Sequence, residues 1–384
     1  MTSSDFPAIE RIDVAEARFA LIEPVTMGGR TVTDRDYTFV RIITDSGTHG
    51  CSYGITRLLP VASAIERIVA PQYLDEDIGA PADTYHRVSG KLGILSDDSC
   101  VRRGLSLLDI AMWDACGSHV GRPVSELIGP GDGSSPTLMS VDGYLPATGE
   151  TAHIRRSVES TLEAGIRTVK FAYLDDPDAM RRMIDDVAPE ARDADLSVVV
   201  DMIWTLRSVD AGRAVSRSLD GLNVEWIEDP YPGQMLRDGD LAHEAFDTTI
   251  AFGDEATDPC VLRDLATLGR TDIVRVDATT IGGLTGAAAV IRQAHDRSYP
   301  VGCHIYPEIH QHLAHSAAGA EYVEIFPADG RFDAADRFRT TTVDISAGTI
   351  APPAEPGLGL GLDWDAIARA STSFHTVEGS RHGD

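Results

Sequence analysis

Apolar runs without polar alternation recur through the second half of this chain, and three successive ones end on a carboxylate. SVVVDM reaches Asp201, LNVEWIEDP reaches Glu228 and TTIAFGDE reaches Asp254. The intervals (201 to 228, then 228 to 254) are each about the length of one strand, one helix and two short loops. Runs such as Val198-Val199-Val200 suit strands buried on both faces of a parallel sheet. With these three, the strand-like runs are Leu138–Val141, Thr168–Ala172, Val198–Met202, Val224–Glu228, Ile250–Gly253, Ile273–Asp277, Val301–His304 and Tyr322–Ile325. Helical periodicity fills most gaps, at 151–164, 176–187, 207–218, 258–268, 283–297 and 309–318. Eight strands in this alternation predict a (β/α)8-type barrel rather than an open doubly wound sheet.

The first half is patterned differently. RIDVAEARFALI and DYTFVRIITDSG alternate apolar and polar positions, which predicts two antiparallel strands. Met27-Gly28-Gly29-Arg30 lies in their connection and is expected to be a mobile loop. From Leu59 to about Ile128 the period becomes helical, most strongly in RRGLSLLDIAMWDACGSHV. The Gly/Pro/Ser-rich IGPGDGSSPT (128–137) then marks a boundary. The expected organisation is an α+β cap over 1–130, a barrel over 131–350, and a turn-rich segment, 351–384, returning to the cap.

Composition narrows the function. The net charge of −27 disfavours nucleic acid and anionic membrane as partners, and no apolar run is long enough to span a bilayer. The start, MTSSDFPAIERID, has neither a basic n-region nor an apolar h-region, so no export signal is expected. Five cysteines without CxxC pairing fit a reducing cytoplasm, the expected location, better than a disulfide framework. The cations are almost all arginine; Lys91 and Lys170 are the only lysines, and Lys170 falls on a strand end. The Gly282-Gly283-x-x-Gly286 segment lacks the spacing and the Lys-Ser/Thr of a nucleotide loop.

Carboxylates at the ends of consecutive barrel strands converge on one rim. Singly, each could be an ordinary surface acid. Together, three converging anions need a cation between them, and an all-oxygen set suits one Mg²⁺.

The stretches GIRTVK (165–170), VVVDM, VEWIEDP, AFGDE, VRVDATTIGGLTG, GCHIYPEIHQHLA and EYVEI stand in an order and spacing that resembles the enolase superfamily, in its mandelate racemase and muconate-lactonizing branch. The resemblance spans essentially the whole chain. It implies a capping domain, a modified (β/α)7β barrel, and abstraction of the proton α to a carboxylate, with a small carboxylate as substrate. It implies Mg²⁺ ligation by Asp201, Glu228 and Asp254, a histidine base at His304 partnered by Asp277, and a carboxylate at Glu324 that hydrogen-bonds the substrate. A homo-oligomer is also expected.

Two departures shape the expected reaction. The second-strand motif of such proteins is commonly Lys-x-Lys; Lys170 fills the first position, but Ala172 stands in the second. Ile203 stands where relatives often carry Asn or a histidine acid. With one visible base, His304, the expected reaction is syn dehydration of an acid sugar, the imidazolium returning its proton to the leaving β-hydroxyl. Racemisation, with Tyr173 or another group on the opposite face, and cycloisomerisation stay open, as does a catalytically silent binding relative. Substrate choice is expected in the cap, in the loop around 22–34 and in Tyr53-Gly54-Ile55-Thr56-Arg57. There Tyr53 is a candidate contact, and Arg30 or Arg57 could hold a distal carboxylate or hydroxyl. His310, His312 and His315 lack the spacing of a metal box and are expected to be structural or supporting.

Overall fold

The computed structural model describes residues 6–192, 195–232, 237–327 and 331–379. Two hydrophobic units build it, a cap and a barrel. In the cap, strands β1 (Ile9–Met27), β2 (Arg30–Thr44) and β3 (His49–Ile55) pair antiparallel, and the C-terminal strand Ser373–Glu378 pairs with β1 over Arg11–Glu16. Alternation along β1 and β2 turns Ile12, Val14, Val40 and Ile42 toward the helix Ser99–Val120, where Leu105, Leu108, Ala111 and Met112 meet them. Asp98 caps that helix by accepting from the amides of Cys100 and Val101, and Gly121 ends it in a left-handed conformation.

The connection expected to be a mobile loop is continuous strand. Val25 pairs with Val32, Thr26 with Thr31 and Met27 with Arg30, leaving only Gly28 and Gly29 as the turn. A two-residue hairpin turn with positive φ at both positions (+53° and +73°) is strongly favoured by glycine, which has no Cβ to clash. The Gly28 amide donates to the carbonyl of Tyr173 at 2.9 Å, which fastens the hairpin tip to the barrel rim.

Eight parallel strands close the barrel: β4 (Thr137–Gly143), β5 (Thr168–Ala172), β6 (Ser197–Asp201), β7 (Val224–Glu228), β8 (Ile250–Phe252), β9 (Ile273–Val276), β10 (Val301–Cys303) and β11 (Tyr322–Ile325). A helix follows each of the first seven; after β11 comes only the short 3₁₀ turn Ala334–Phe338, which gives the (β/α)7β pattern. The helix Arg237–Ala245, between β7 and β8, was not among the expected segments, because RDGDLAHEA offers little apolar periodicity. Inside the barrel, Met139, Val199, Trp226, Ala251 and Ile273 form an apolar layer. Two residues further along β6, β7 and β9, on the same faces, stand Asp201, Glu228 and Arg275. The strand period of two therefore puts charged groups directly above the apolar layer.

Buried polar groups join cap, barrel and C-terminal segment. Asp109, on the long cap helix, accepts from the Thr285 amide at 2.9 Å and its hydroxyl at 2.7 Å. Asp114 accepts from the Cys51 amide at 2.8 Å and the Leu358 amide at 2.7 Å. His312 is fully buried and bridges three segments: its Nδ1 accepts from the Ser125 amide at 3.2 Å, and its Nε2 donates to the Leu358 carbonyl at 3.2 Å. Burial lowers its pKa to about 4.

Below pH ~6.5 the unfolded chain protonates His312 while the folded chain does not, so this contribution is full above pH ~6.5 and is lost as pH falls toward about 4. Burial raises Asp109 to about 7 and Asp114 to about 6, which acts in the opposite direction, so the effect is read as a difference. Denaturant unfolding of the wild type and His312→Gln is expected to show the wild type losing about 3 kcal/mol relative to the variant between pH 7 and pH 4. Parallel pH profiles would show that His312 is not held neutral.

Candidate active site

The charged layer of the barrel converges on one amino group. Lys170 Nζ, wholly buried, lies 2.5 Å from Glu228, 3.1 Å from Glu324, 3.2 Å from Asp254 and 3.5 Å from Asp201. Arg275, equally buried, reaches three of the same acids: its Nε is 2.7 Å from Asp254 and 3.1 Å from Glu228, and its Nη2 donates to Glu324. Room for this guanidinium comes from Gly302 on β10, the strand beside it; a Cβ there would lie 2.6 Å from Arg275 Nη1. Trp226 Nε1 donates to Glu228 Oε2 at 2.8 Å.

Fully ionised, the four carboxylates would exceed the two fixed cations by two negative charges. Burial pushes Glu228 well above the usual carboxylate range; Asp254 and Asp201 add to the shift, against Arg275 and Lys170. Asp254 goes the other way: burial would raise it, but Arg275, Lys170 and His304 hold it well below its usual value. Burial also raises Asp201, against the pull of Lys170. Ligand oxygens of Asp201, Glu228 and Asp254 lie within 4.8 Å of one another. An all-oxygen trio with a surplus of two charges fits a hard divalent cation such as Mg²⁺.

His304 follows β10 directly. Its Nδ1 is 3.0 Å from Asp277 Oδ2, and its Nε2 is 3.7 Å from Asp254 Oδ2. Asp277 is itself fixed, its Oδ1 accepting from the Thr279 amide and hydroxyl at 2.7 Å each. Burial alone would lower His304; Asp254, Asp277 and Glu324 reverse this and leave its pKa above the ordinary value. His310 supports the pair from behind, its Nε2 accepting from the Ala278 amide at 3.0 Å and its Nδ1 donating to the Ile305 carbonyl at 2.5 Å. Burial lowers the His310 pKa, consistent with a neutral ring in this position.

Several non-glycine residues just past the strand ends take positive φ: Ile203 (+50°), Trp204 (+54°), Asp229 (+42°), Ile305 (+42°) and Tyr306 (+47°). Such strain is uncommon, especially for a β-branched residue, and concentrates at functional rims. Above the cluster opens a cleft of about 470 Å³, counting its mouth, with Asp201, Asp254 and His304 at the base and Met27, Arg35, Ile55 and Arg57 from the cap on its walls.

The four candidate substrate contacts fare differently from the barrel residues. Arg57 lines the cleft, but its guanidinium is held by Glu255, which also accepts from Arg103 at 3.0 Å. Tyr53 is buried beneath the cleft with its hydroxyl committed to Glu308. Arg30 is exposed at the hairpin, and Tyr173, which follows inward-facing Ala172, packs in the core outside the barrel; neither lines the cleft. Sequence reasoning missed Arg275, Asp229, Arg35 and Tyr144. Arg275 had a signal, since it sits two residues before Asp277 on one strand face. Arg35 and Tyr144 had none, because only the cap–barrel arrangement brings them to the cleft.

Comparison with known proteins agrees with this geometry. Residues 9–129 match the mandelate racemase/muconate lactonizing enzyme N-terminal domain, and residues 153–366 match the enolase C-terminal domain-like family. A D-mannonate dehydratase of Sphingomonas sp. (strain SKA58) is 24% identical over 388 residues, covering 88% of this chain and 92% of that protein. A 3,6-anhydro-α-L-galactonate cycloisomerase of Streptomyces coelicolor is 23% identical over 274 residues, covering 69% and 71%. The crystal structure of L-talarate/galactarate dehydratase from Salmonella typhimurium LT2 superposes with a TM-score of 0.84 at 19% identity, over 99% of this chain and 95% of that one. A mutant of that dehydratase has been solved with Mg and L-glucarate. With both of its parts matched in order, the chain belongs to the mandelate racemase/muconate lactonizing enzyme family of the enolase superfamily.

Proposed function

We propose that this protein removes the proton α to the carboxylate of an acid sugar and eliminates the β-hydroxyl, yielding a 2-keto-3-deoxy acid. The observation that carries this is His304, whose Nε2 lies 3.7 Å from Asp254 of the carboxylate trio while Asp277 holds its Nδ1. Asp201, Glu228 and Asp254 are the residues proposed to hold Mg²⁺, and residues 1–130 with 351–384 to form the cap over a barrel of 131–350. When bound, the cation supplies Lewis-acid stabilisation of the charge that develops on the substrate carboxylate.

The remaining steps belong to the chain. Asp277 accepts the Nδ1 proton of His304, which leaves the Nε2 lone pair free to take the proton from Cα. Lys170 and Arg275 bring two fixed positive charges to the same layer, and Lys170 is the donor proposed to meet the substrate carboxylate. As the Cβ–oxygen bond breaks, the imidazolium returns its proton to the departing hydroxyl, which leaves as water. The enol that remains tautomerises to the ketone. The wall across from His304 favours elimination over two-base racemisation. Ala172 and Ile203 carry no proton-transfer group, and Lys170 is held strongly protonated: burial opposes this, but Asp254, Glu228, Glu324 and Asp201 outweigh it.

His304→Gln is expected to lower kcat on acid sugars by at least ~10³-fold and to abolish Cα–deuterium exchange in D₂O, while Mg²⁺ affinity measured by calorimetry stays within about 3-fold. Retained exchange would assign the base elsewhere. A panel of aldonates and aldarates that gave no keto acid with the Mg²⁺-loaded enzyme would reject dehydration itself.

Raised carboxylates in the cluster must lose protons when a dication enters. Calorimetry in buffers of differing ionisation enthalpy at pH 7 is therefore expected to show proton release on Mg²⁺ binding, and Asp201→Asn to weaken that binding at least ~10-fold. Binding with no proton release and no dependence on Asp201 would place the ion elsewhere.

A further inference from the structure

Apart from the ion cluster, the cleft holds one more buried cation. Arg35 stands on β2, opposite Phe19 of β1, and is only 4% exposed, yet it lines the cleft with Met27, Tyr144 and Phe326. Among the described residues its guanidinium makes no hydrogen bond or ion pair, and its Nε is buried without any partner. The neighbouring cations are engaged: Lys170 and Arg275 by the carboxylate cluster, Arg57 by Glu255. A charge withdrawn from water without a partner is unfavourable, and it persists where something else completes it.

The geometry points to Arg35 as the receptor for a second, terminal carboxylate, so that the preferred substrate is a dicarboxylate acid sugar rather than the monocarboxylate of the same configuration. This specificity rests on the acid-sugar reaction proposed above. The cleft is polarised to match. Its base carries the negative surplus that suits a dication and the reacting carboxylate. Its cap side carries Arg35 and Arg57, and of these only Arg57 is met by a carboxylate, that of Glu255 from the barrel. Tyr144, which also lines the cleft, interacts electrostatically with both Lys170 and Arg35. A guanidinium offers a planar fork of donors that engages a carboxylate by two parallel hydrogen bonds, a geometry an ammonium does not reproduce.

Arg35 thus takes over the role that Arg30 and Arg57 were expected to share. The exposed guanidinium of Arg30 stays in water, and that of Arg57 already has its anion.

The test uses the Mg²⁺-loaded protein and calorimetry with paired ligands: galactarate with galactonate, glucarate with gluconate, and 6-phosphogluconate as a terminal phosphate. The wild type is expected to bind each dicarboxylate at least ~10-fold more tightly than its partner. Arg35→Met is expected to shrink that preference by about 10–100-fold, with Arg35→Lys between. Equal affinity for both members of a pair, or equal loss of both in Arg35→Met, would overturn the assignment. Arg35-dependent binding of 6-phosphogluconate tighter than that of either dicarboxylate would replace the carboxylate by a phosphate and overturn it as stated. Without ligand, Arg35→Met is expected to melt at or above the wild-type temperature, because it removes an unpaired buried charge; a fall of several degrees would make Arg35 a structural residue. Binding is read in the His304→Gln background, in which turnover is lost, and keto acid formation in the protein with His304 intact. Arg35-dependent preference with no keto acid formed would reject the dehydration and not the subsite, whereas keto acid formed equally from both members of a pair would do the reverse.

Discussion

Four carboxylates share the inside of a barrel with two cations, and the rest of the molecule is arranged around the charge left over. Two unit charges about 4 Å apart interact by roughly 4 kcal/mol even at an effective dielectric constant of 20. Asp201, Glu228, Asp254 and Glu324 would therefore drive one another apart, or hold protons, if Lys170 and Arg275 were absent. Neither cation is free to adjust. Lys170 is wholly buried within 3.5 Å of all four acids, and Arg275 occupies space that Gly302 leaves open. The excess of acids over fixed cations is set by the scaffold, and it becomes a two-charge surplus when all four acids are ionised. It suits the layer to a dication, and the same acids raise the pKa of the nearby imidazole of His304.

A rigid frame is needed to hold such a cluster, and the barrel supplies one through register. Asp201 pairs with Glu228 across neighbouring strands, and both extend from the apolar layer that contains Val199 and Trp226. Trp226 then uses its indole N–H on Glu228, so the packing layer also orients an acid above it. The cap is locked to this frame by groups that burial makes costly to separate, such as Asp109 on Thr285 and His312 between Ser125 and Leu358. These contacts keep the cap wall of the cleft in place over the reacting end. Precision at the cleft thus depends on polar joints far from the chemistry.

The barrel was legible in the sequence because its strands are short, apolar and evenly spaced; the observed ends differ from those expected by one or two residues at most. Convergence of Asp201, Glu228 and Asp254 followed from strand-end position alone. The pairing of His304 with Asp277 followed from the family resemblance. What stayed hidden has physical reasons. The hairpin through Gly28 and Gly29 looked like a loop because glycines mark both loops and tight two-residue turns. Arg35 lies on a strand whose alternation says only that its side chain shares a face with Tyr37, not that a barrel mouth waits there. Tyr53 and Arg57 sit in the expected segment, but their polar groups are already taken by Glu308 and Glu255. Sequence shows which residues are near a site; only the partners show which of them remain available to a ligand.

Availability also bears on the outcome of the proposed reaction. In the proposed reaction His304 takes the α-proton, and two positions that could have carried a second proton-transfer group do not: Ala172 has no polar atom and Ile203 turns an alkyl side chain to the cleft. The imidazolium can return the proton to Cα or give it to an oxygen on the same face. Return to Cα regenerates substrate with its configuration retained, so it makes no product. Transfer to the β-oxygen breaks a bond and releases water, which makes it the productive branch. A residue missing from one wall therefore selects among the reactions that a common intermediate permits, and the geometry of the single remaining base determines how often the productive branch is taken.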